Sequence, residues 1–274
     1  MAGSIVALLT DFGSRDPYVG MMKGVILGIN PMLNLVDLTH EIAAQHVRQA
    51  AIVLSASCRY FPPGTLFLVV VDPGVGSARR ALVAQVPQYT FIAPDNGVLG
   101  PVTEEAGDCR VVQVTNDAYF RPHVSRTFHG RDIFAPIAAW LSRGVAADRM
   151  GHRITDFARL PLSRPQVLAD GSLTGEVIYK DRFGNLITNL SESFVQREWG
   201  PGPWEAMTAG IETHVVCGLR SYYGEAPPGA VGMIIDSWGL LEIFVNRGHA
   251  GHALGVGEGA RVQVWRAGGP GSHA

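Results

Sequence analysis

An aspartate and an arginine stand seven residues apart at the end of an apolar run. Residues 69–80 read VVVDPGVGSARR, so Asp72 ends a β-branched run and Arg79 follows a tight Pro-Gly turn. Because open α/β sheets place ligand crevices at the carboxyl ends of their strands, we expect both side chains at such a crevice. His129, in the segment Thr127–Asp132 (TFHGRD), offers a third polar group. An acid, a cation and an imidazole can do acid–base chemistry, or they can only hold a turn together.

Acidic residues recur at the ends of the predicted strands. Asp11 follows the first strand, Asp37 lies at the end of the second and Asp72 ends the third, while Asp16 lies shortly after Asp11. A single aspartate in such a place is commonly a turn former or a helix cap. Several at one sheet edge suit a cationic or hydroxyl-rich ligand, or a metal.

Metal binding and several standard chemistries are poorly supported. His129 and Asp132 are three residues apart and could share a metal on a helix, but no second histidine stands at a supporting spacing, so we predict no metal site. Residues 72–77 (DPGVGS) lack the Lys-Ser/Thr ending of a phosphate-binding P-loop. The chain has no Gly-x-Ser-x-Gly elbow and no cysteine beside a candidate base, which disfavours nucleophilic hydrolase chemistry.

The first half of the chain alternates strands and helices. We predict strands at Ile5–Thr10, Asn34–Leu38, Thr65–Val71, Ala81–Val86 and Tyr89–Ala93, and helices at Tyr18–Ile29, Gln45–Ser57 and Asp132–Arg143. This alternation is typical of a parallel α/β sheet. Residues 1–160 are therefore predicted to form an α/β domain with a mostly parallel sheet.

The character of the chain changes near residue 160. Two prolines in Leu160–Pro165 break either periodicity, and residues 161–172 are predicted to be a linker. Beyond it we predict strands, with no helix between them, at Leu173–Lys180, Leu186–Leu190, Ala230–Ile235, Leu240–Val245 and Arg261–Trp265. Short strands separated by Gly-, Asn- and Pro-rich turns indicate a small antiparallel β domain of barrel or sandwich type over residues 173–267. Gly268–Ala274 is predicted to be a frayed tail.

Two polar-aromatic clusters lie in the second half. In residues 181–189 (DRFGNLITN), Phe183 offers a flat face and Asn185 offers a donor–acceptor pair that matches an adenine edge. A hairpin turn explains the same spacing equally well. The second cluster, residues 236–242 (DSWGLLE), places polar groups around Trp238.

Bulk properties narrow the class of protein. The 274 residues carry a net charge of −2, so no basic field indicates nucleic-acid binding. We find no run of 18 apolar residues for a membrane span, no signal peptide, and three scattered cysteines of the kind found as buried thiols in a reducing compartment. We therefore expect a cytoplasmic protein with no nucleic-acid or membrane partner.

Taken together, these segments resemble the S-adenosyl-L-methionine (SAM) hydroxide adenosyltransferases, which are related to the fluorinases and chlorinases. The motifs that carry the resemblance follow one another over nearly the whole chain: residues 9–13 (LTDFG), 36–42 (VDLTHEI), 71–79 (VDPGVGSAR), 93–99 (APDNGVL), 127–136 (TFHGRDIFAP), 181–189 and 237–246 (SWGLLEIFVN). The resemblance implies an amino-terminal α/β domain, a carboxyl-terminal β-barrel, and a homotrimer whose active sites lie between one subunit's first domain and its neighbour's second.

The resemblance also implies an activity: hydrolysis of SAM to adenosine and L-methionine without a cofactor. The Asp-Arg-His triad of the hydrolytic branch falls on Asp72, Arg79 and His129, and Arg80 is expected to face solvent. The implied substrate-binding residues are Asp11, Asp16, Phe128, Asp181, Phe183, Asn185, Ser237, Glu242 and Val245. Trp238 departs from the pattern of many relatives. A halide-dependent SAM adenosyltransferase, and a non-catalytic protein that binds adenosine or SAM, remain alternatives.

Overall fold

The computed structural model describes residues 4–202, 204 and 206–266. The chain divides between Pro161 and Leu162 into two compact units, which we name unit 1 and unit 2 in chain order. The tail predicted from Gly268 to Ala274 lies outside the described residues. In the described part of the chain, no helix is both long enough and apolar enough to span a membrane.

Unit 1 is built around a seven-stranded sheet with the strand order β2-β1-β3-β5-β4-β6-β7. Its strands are β1 (Ile5–Thr10), β2 (Asn34–Thr39), β3 (Leu66–Val70), β4 (Ala81–Gln85), β5 (Thr90–Pro94), β6 (Arg110–Val114) and β7 (Gly151–Ile154). Strands β2, β1, β3 and β5 are parallel to one another. Asp11 and Asp72 therefore follow the same ends of the two neighbouring strands β1 and β3.

The prediction of a mostly parallel sheet is too broad. Strand β4 pairs antiparallel with β5 and with β6, and β6 pairs antiparallel with β7, so only three of the six pairings are parallel. The turn at residues 86–89, closed by the hydrogen bond from Val86 N to Tyr89 O, joins β4 directly to β5. A parallel connection would need a crossover of a dozen or more residues. The sheet of unit 1 is mixed.

Four α-helices pack on this sheet: α1 (Tyr18–Ile29), α2 (Val47–Cys58), α3 (Gly100–Ala106) and α4 (Ala135–Ser142). A π-helical turn, Gly130–Phe134, precedes α4 and follows His129 directly. The central strands are apolar along their whole length because both faces of the sheet are covered. Buried Leu8 and Leu68 pack with Met22 and Ile26 of α1.

Unit 2 contains a nine-stranded sheet that is nearly closed into a barrel. Its strands are β8 (Gln166–Val167), β9 (Leu173–Lys180), β10 (Leu186–Ser191), β11 (Thr208–Ile211), β12 (His214–Cys217), β13 (Leu219–Arg220), β14 (Val231–Ile235), β15 (Leu240–Val245) and β16 (Arg261–Trp265). The strand order is β12-β11-β16-β9-β10-β15-β14-β13, and β8 pairs with β9. The two edge strands, β12 and β13, are separated only by Gly218, so the chain passes directly from one edge of the sheet to the other.

Several expectations for the second half need correction. The pairing of β13 with β14 is parallel, so the barrel is not wholly antiparallel. Helices α5 (Glu192–Trp199) and α6 (Ala250–Leu254) interrupt a region predicted to have none. The signal for α5 was local, because the Ser191 hydroxyl accepts a hydrogen bond from Phe194 N at 3.1 Å and caps the helix. Within residues 161–172, predicted to be a linker, β8 joins the sheet.

Arg80 does not simply face solvent as predicted. Its Nε lies 2.6 Å from Asp95 Oδ2, and its Nη1 lies 2.8 Å from Asp156 Oδ1. Asp95 also accepts a hydrogen bond from Ala158 N at 2.7 Å. Arg80 therefore links the end of β5 to the segment that closes unit 1.

Replacing Arg80 with methionine should lower the free energy of unfolding by about 1–3 kcal/mol, because the buried Asp95 carboxylate loses its charged partner. Arg153→Met is the matched control, since Arg153 makes only an exposed pair with Asp148 and its loss should cost little. Urea unfolding measures both variants. Equal losses would contradict a structural role for Arg80.

Candidate active site

The Arg79 guanidinium joins Asp72 to His129. Its Nε lies 2.9 and 3.0 Å from the two carboxylate oxygens of Asp72, and its Nη2 also donates to Asp72 Oδ2. The same Nη2 lies 2.9 Å from His129 Nδ1. The guanidinium carbon lies 5.1 Å from the centroid of the Phe134 ring. The three residues that the sequence singled out therefore form one hydrogen-bonded group.

The turn between Asp72 and Arg79 brings this group to the segment that carries His129. Gly76 in this turn has a φ of +77°, a conformation that favours glycine. A Cβ atom at Gly76 would lie 2.2 Å from the carbonyl oxygen of Arg126. The absence of a side chain at Gly76 thus permits the close approach that lets Arg79 reach His129.

The partner of His129 fixes its tautomer. Arginine has no hydrogen-bond acceptor, so Nδ1 of His129 must accept from Arg79. Burial, and then the positive charge of Arg79, lower the pKa of His129. The imidazole is therefore neutral at neutral pH, and its proton is on Nε2, which remains a donor for a ligand.

Asp132 holds the segment in front of His129. Its side chain is 0% exposed, with Oδ1 2.7 Å from Arg131 Nε and 3.2 Å from Arg121 Nη1. Its Oδ2 accepts a hydrogen bond from Ser125 N at 2.9 Å. Burial alone would raise the pKa of Asp132, but the hydrogen bonds from Arg131 and Ser125 hold it below its ordinary value. The Asp132 carboxylate therefore binds two arginines and a backbone N–H, whereas the sequence hypothesis considered it as a ligand that could share a metal with His129.

Asp72 and His129 lie on the wall of a cavity of about 310 Å³, the unit 1 cavity. Two further predicted residues, Asp11 and Phe128, also line it. Asp16 is exposed in the loop after β1 and is not among the side chains that line this cavity. Within the described ranges, no three His, Cys, Asp or Glu residues are grouped so that they could hold a metal ion.

Three aromatic rings form one side of the unit 1 cavity. The ring centroids of Phe12 and Tyr18 lie 5.8 Å apart, those of Phe12 and Phe128 also 5.8 Å, and those of Tyr18 and Phe128 5.3 Å. Sequence reasoning missed Phe12 and Tyr18. The sequence feature that could have identified them is their position, since Phe12 follows Asp11 directly and Tyr18 begins α1.

A second cavity, of about 740 Å³, lies in unit 2, and we name it the unit 2 cavity. All six substrate-binding residues predicted in this half line it: Asp181, Phe183, Asn185, Ser237, Glu242 and Val245. Trp238 lines it as well, and its ring packs against Tyr179 with the centroids 5.3 Å apart. The two sequence clusters, far apart along the chain, thus meet at one cavity.

Glu242 is the most strongly perturbed acid at the unit 2 cavity. It is only 3% exposed, and its buried Oε1 has no hydrogen-bond partner within the described part of the chain. Burial raises the pKa of Glu242 to about 7, although a hydrogen bond from Tyr223 opposes the shift. Tyr223, which sequence reasoning missed, is half-exposed, and its partial burial and then the charge of Glu242 raise its pKa. The unsatisfied oxygen marks a position for a ligand group.

The turn from Asp181 to Asn185 is both a hairpin turn and part of the unit 2 cavity. Asn185 N donates to Asp181 Oδ1 at 2.8 Å. Gly184, rather than the asparagine, takes the left-handed conformation, with a φ of +88°. A Cβ atom at Gly184 would lie 2.1 Å from the His249 ring, and Gly184 O accepts a hydrogen bond from Gly251 N at 3.0 Å. Helix α6 and its N-cap residue His249 therefore pack against the turn and hold it in place.

Comparison with known proteins assigns the chain to a family. The model of the SAM hydroxide adenosyltransferase N-terminal domain matches residues 6–151, and that of the C-terminal domain matches residues 175–263. The chain belongs to the SAM hydroxide adenosyltransferase family. The family resemblance of the sequence motifs is thereby confirmed.

Individual members of the SAM hydroxide adenosyltransferase family and their relatives cover almost the entire chain. An (R)-S-adenosyl-L-methionine hydrolase of Thermus thermophilus is 38% identical over 94% of this chain and 98% of its own. The crystal structure of an uncharacterized conserved protein from Thermotoga maritima has a TM-score of 0.89 and 37% identity, covering 95% of this chain and 100% of its own. A fluorinase of an Actinoplanes species is more distant, at 26% identity over 96% of this chain and 98% of its own.

Gly76→Ala should separate backbone strain from steric contact in this SAM hydroxide adenosyltransferase family member. The control is Gly64→Ala, because Gly64 also has a positive φ, of +88°, but a Cβ there would meet nothing within 4 Å. The control should cost about 1–2 kcal/mol of unfolding free energy. Gly76→Ala should cost at least about 1 kcal/mol more, because its Cβ meets the Arg126 carbonyl. Equal costs in urea unfolding would contradict the close approach.

The raised pKa of Glu242 predicts a pH-dependent difference in stability between the wild type and Glu242→Gln. The folded protein keeps a proton on Glu242 that the unfolded chain releases, since the pKa is about 7 in the folded state against an ordinary value of 4.5. The stabilisation from this proton is complete below pH 4.5 and is lost as the pH rises through 7. Relative to the variant, the wild type should therefore lose stability over this range in urea unfolding. Parallel pH profiles would contradict a buried, protonated Glu242.

Proposed function

We propose that this protein hydrolyses SAM to adenosine and L-methionine. The observation that carries the proposal is the hydrogen-bonded group Asp72–Arg79–His129 at the unit 1 cavity, where Asp11 and three aromatic rings also lie. Membership of the SAM hydroxide adenosyltransferase family and the name of the Thermus relative support the same reaction. The reaction is the displacement of a thioether by the oxygen of water at the ribose C5′ carbon.

The leaving group needs no protein acid. The C5′–S bond of the sulfonium breaks, its electron pair stays on sulfur, and methionine departs as a neutral thioether. The C5′–O bond forms with an electron pair of water, and one proton of that water must leave. The catalytic problem is therefore the weakness of water as a nucleophile, so that base assistance and in-line placement supply the rate.

The three residues of the group have distinct roles in this mechanism. The neutral His129 donates its Nε2–H to the water oxygen and fixes its position. The Asp72 carboxylate accepts a hydrogen bond from the water and receives its proton as the C5′–O bond forms. Arg79 holds both side chains in place and compensates the charge of Asp72. A partly anionic oxygen approaching a sulfonium neutralises charge, so a site poor in water favours the transition state.

The substrate contacts come from both units. In unit 1, we assign Asp11, Asp16 and Phe128 to the substrate, with Asp16 reaching it from the exposed part of its loop. In unit 2, Asn185 offers a donor and an acceptor to an adenine edge, while Asp181, Phe183, Ser237, Glu242 and Val245 form the surrounding wall. The carboxylates suit the positive charge of the sulfonium substrate.

The assembly we propose is a homotrimer in which unit 1 of one subunit and unit 2 of its neighbour share a site, as the family resemblance implies. The protein uses no cofactor, metal, nucleic acid or membrane in this proposal. Cys58, Cys109 and Cys217 are all free thiols, which supports a reducing compartment, the cytoplasm.

Purified protein given SAM should release adenosine and methionine in equal amounts, measured by liquid chromatography. Asp72→Asn and His129→Ala should each lower kcat by about 10²–10⁴-fold, because each removes a group that handles the water. Arg153→Met, on a remote surface pair, is the control and should keep the wild-type rate. No adenosine above the uncatalysed rate would overturn the proposal, and tight adenosine binding without turnover would instead indicate a binding protein.

The same assay decides between water and halide as the nucleophile. Added chloride or fluoride should leave adenosine as the product, with no 5′-halogenated adenosine, and a chelator should leave the rate unchanged. A halogenated product would identify a halide-dependent adenosyltransferase.

Shared sites predict complementation between two inactive variants. Asp72→Asn damages unit 1 and Asn185→Ala damages unit 2, so trimers assembled from both should regain about one intact site in three. Light scattering should give about three times the 29.4 kDa subunit mass. If mixed assemblies stayed as inactive as their parents, the site would not be shared between subunits.

A further inference from the structure

A hydrogen-bonded network of four residues, which we name the polar network, adjoins Asp11 of the unit 1 cavity and lies outside the catalytic group. Lys23 Nζ lies 2.7 Å from Asp37 Oδ2, and His40 Nε2 lies 2.9 Å from Asp37 Oδ1. On its other side, His40 Nδ1 lies 2.9 Å from the Thr10 hydroxyl. Thr10 is 0% exposed, so this hydroxyl cannot meet a substrate. Asp37 and His40 belong to the sequence motif at residues 36–42, and neither residue has a direct role in the proposed reaction.

A donor and an acceptor can be assigned to each hydrogen bond of the polar network. Burial acts to raise the pKa of Asp37, but hydrogen bonds from Lys23 and His40 hold it below its ordinary value, so the carboxylate is ionised and accepts from both. Because Nε2 of His40 donates to Asp37, Nδ1 is the ring nitrogen left to accept a hydrogen bond from the Thr10 hydroxyl. Phe12 N in turn donates to Thr10 Oγ1 at 3.3 Å. The polar network therefore reaches the backbone of the loop that follows β1.

That loop carries Asp11, and two further bonds hold it. Gly13 N donates to the carbonyl oxygen of His40 at 2.7 Å. Gln45 N donates to Asp11 Oδ2 at 2.7 Å, from a residue whose φ of 64° is rare for a non-glycine residue. The loop after β2 thus holds the loop after β1 on both sides of Asp11. Gln45 N occupies Oδ2 of Asp11, and among the described residues none donates to Oδ1, which is therefore available to a ligand.

We propose that Thr10 and His40 are positioning residues that orient Asp11 toward the hydroxyl groups of the bound nucleoside. This inference rests on the proposed function, in which Asp11 contacts the substrate. Neither residue touches the substrate, so their effect should pass through Asp11. A substrate-binding carboxylate that is free to rotate would weaken binding more than it would slow the reaction of bound substrate.

The test uses Thr10→Val, which keeps the shape of the side chain but removes the hydroxyl, and Thr10→Ser, which keeps the hydroxyl. Thr10→Val should raise KM for SAM about tenfold and change kcat less than about twofold. Thr10→Ser should restore a KM near that of the wild type. Thr65→Val is the matched control, because Thr65 is also buried and its hydroxyl donates to Pro62 O. Thr65 directly precedes β3, at the end of the parallel strands away from Thr10. Thr65→Val should lower stability without raising KM.

A double-mutant cycle shows whether the effect passes through Asp11. Asp11→Asn should raise KM, and adding Thr10→Val to it should raise KM little further, because the oriented group is already lost. Multiplying effects, or a KM for Thr10→Val equal to that of the wild type, would overturn the positioning role.

A ligand-free readout separates this inference from the proposed function. Thr10→Val should speed amide hydrogen exchange at Phe12 and Gly13, whereas Thr65→Val should leave both unchanged. If the wild type forms no adenosine but the Thr10 variant shows faster exchange at these amides, the proposed function fails and the loop anchor stands. Unchanged exchange would overturn the anchor whatever the activity.

Discussion

The Arg79 guanidinium is shared between a carboxylate and an imidazole, and the rest of unit 1 is arranged so that it can be. Because arginine only donates, it fixes Asp72 as an acceptor and leaves the proton of His129 on the nitrogen that faces away from it. Strand β3 delivers Asp72, the turn through Gly76 delivers Arg79, and the buried Asp132 holds the segment that delivers His129. Burial, and then the positive charge of Arg79, lower the pKa of His129 and keep its imidazole neutral. A lysine could supply the charge but not the two-sided contact.

The cavities of the two units are lined by different kinds of groups. In unit 1, Asp72 and Asp132 are each paired with an arginine, and three aromatic rings form one side of the cavity. In unit 2, Glu242 is buried without a cation, and its raised pKa leaves it partly protonated at neutral pH. The unit 1 cavity therefore has a carboxylate held by an arginine, while the unit 2 cavity has a buried acid with an oxygen that no described residue satisfies.

Local patterns predicted most of the elements that carry the site, and nonlocal contacts account for the errors. Strand β1, helix α1 and strands β9, β15 and β16 have the predicted bounds, because their periodicity and their turn residues agree. Strands β6 and β7 were missed because they are short and follow no clear alternation. The antiparallel pairing of β4 with β5 follows from the short turn at residues 86–89, which the general alternation of strands and helices did not take into account. Six predicted residues meet at the unit 2 cavity, whereas Tyr223 carried no sequence signal of its own, since its role comes from packing against Phe244 and Glu242.

The Arg79→Lys variant tests the account most directly, because lysine keeps the charge but cannot contact Asp72 and His129 together through a planar group. The measurement is the single-turnover rate of adenosine formation at saturating SAM, which excludes effects on binding and product release. We expect the rate to fall by about 10²-fold or more, with SAM binding retained. A wild-type rate in the lysine variant would contradict the claim that the shared guanidinium organises the reaction.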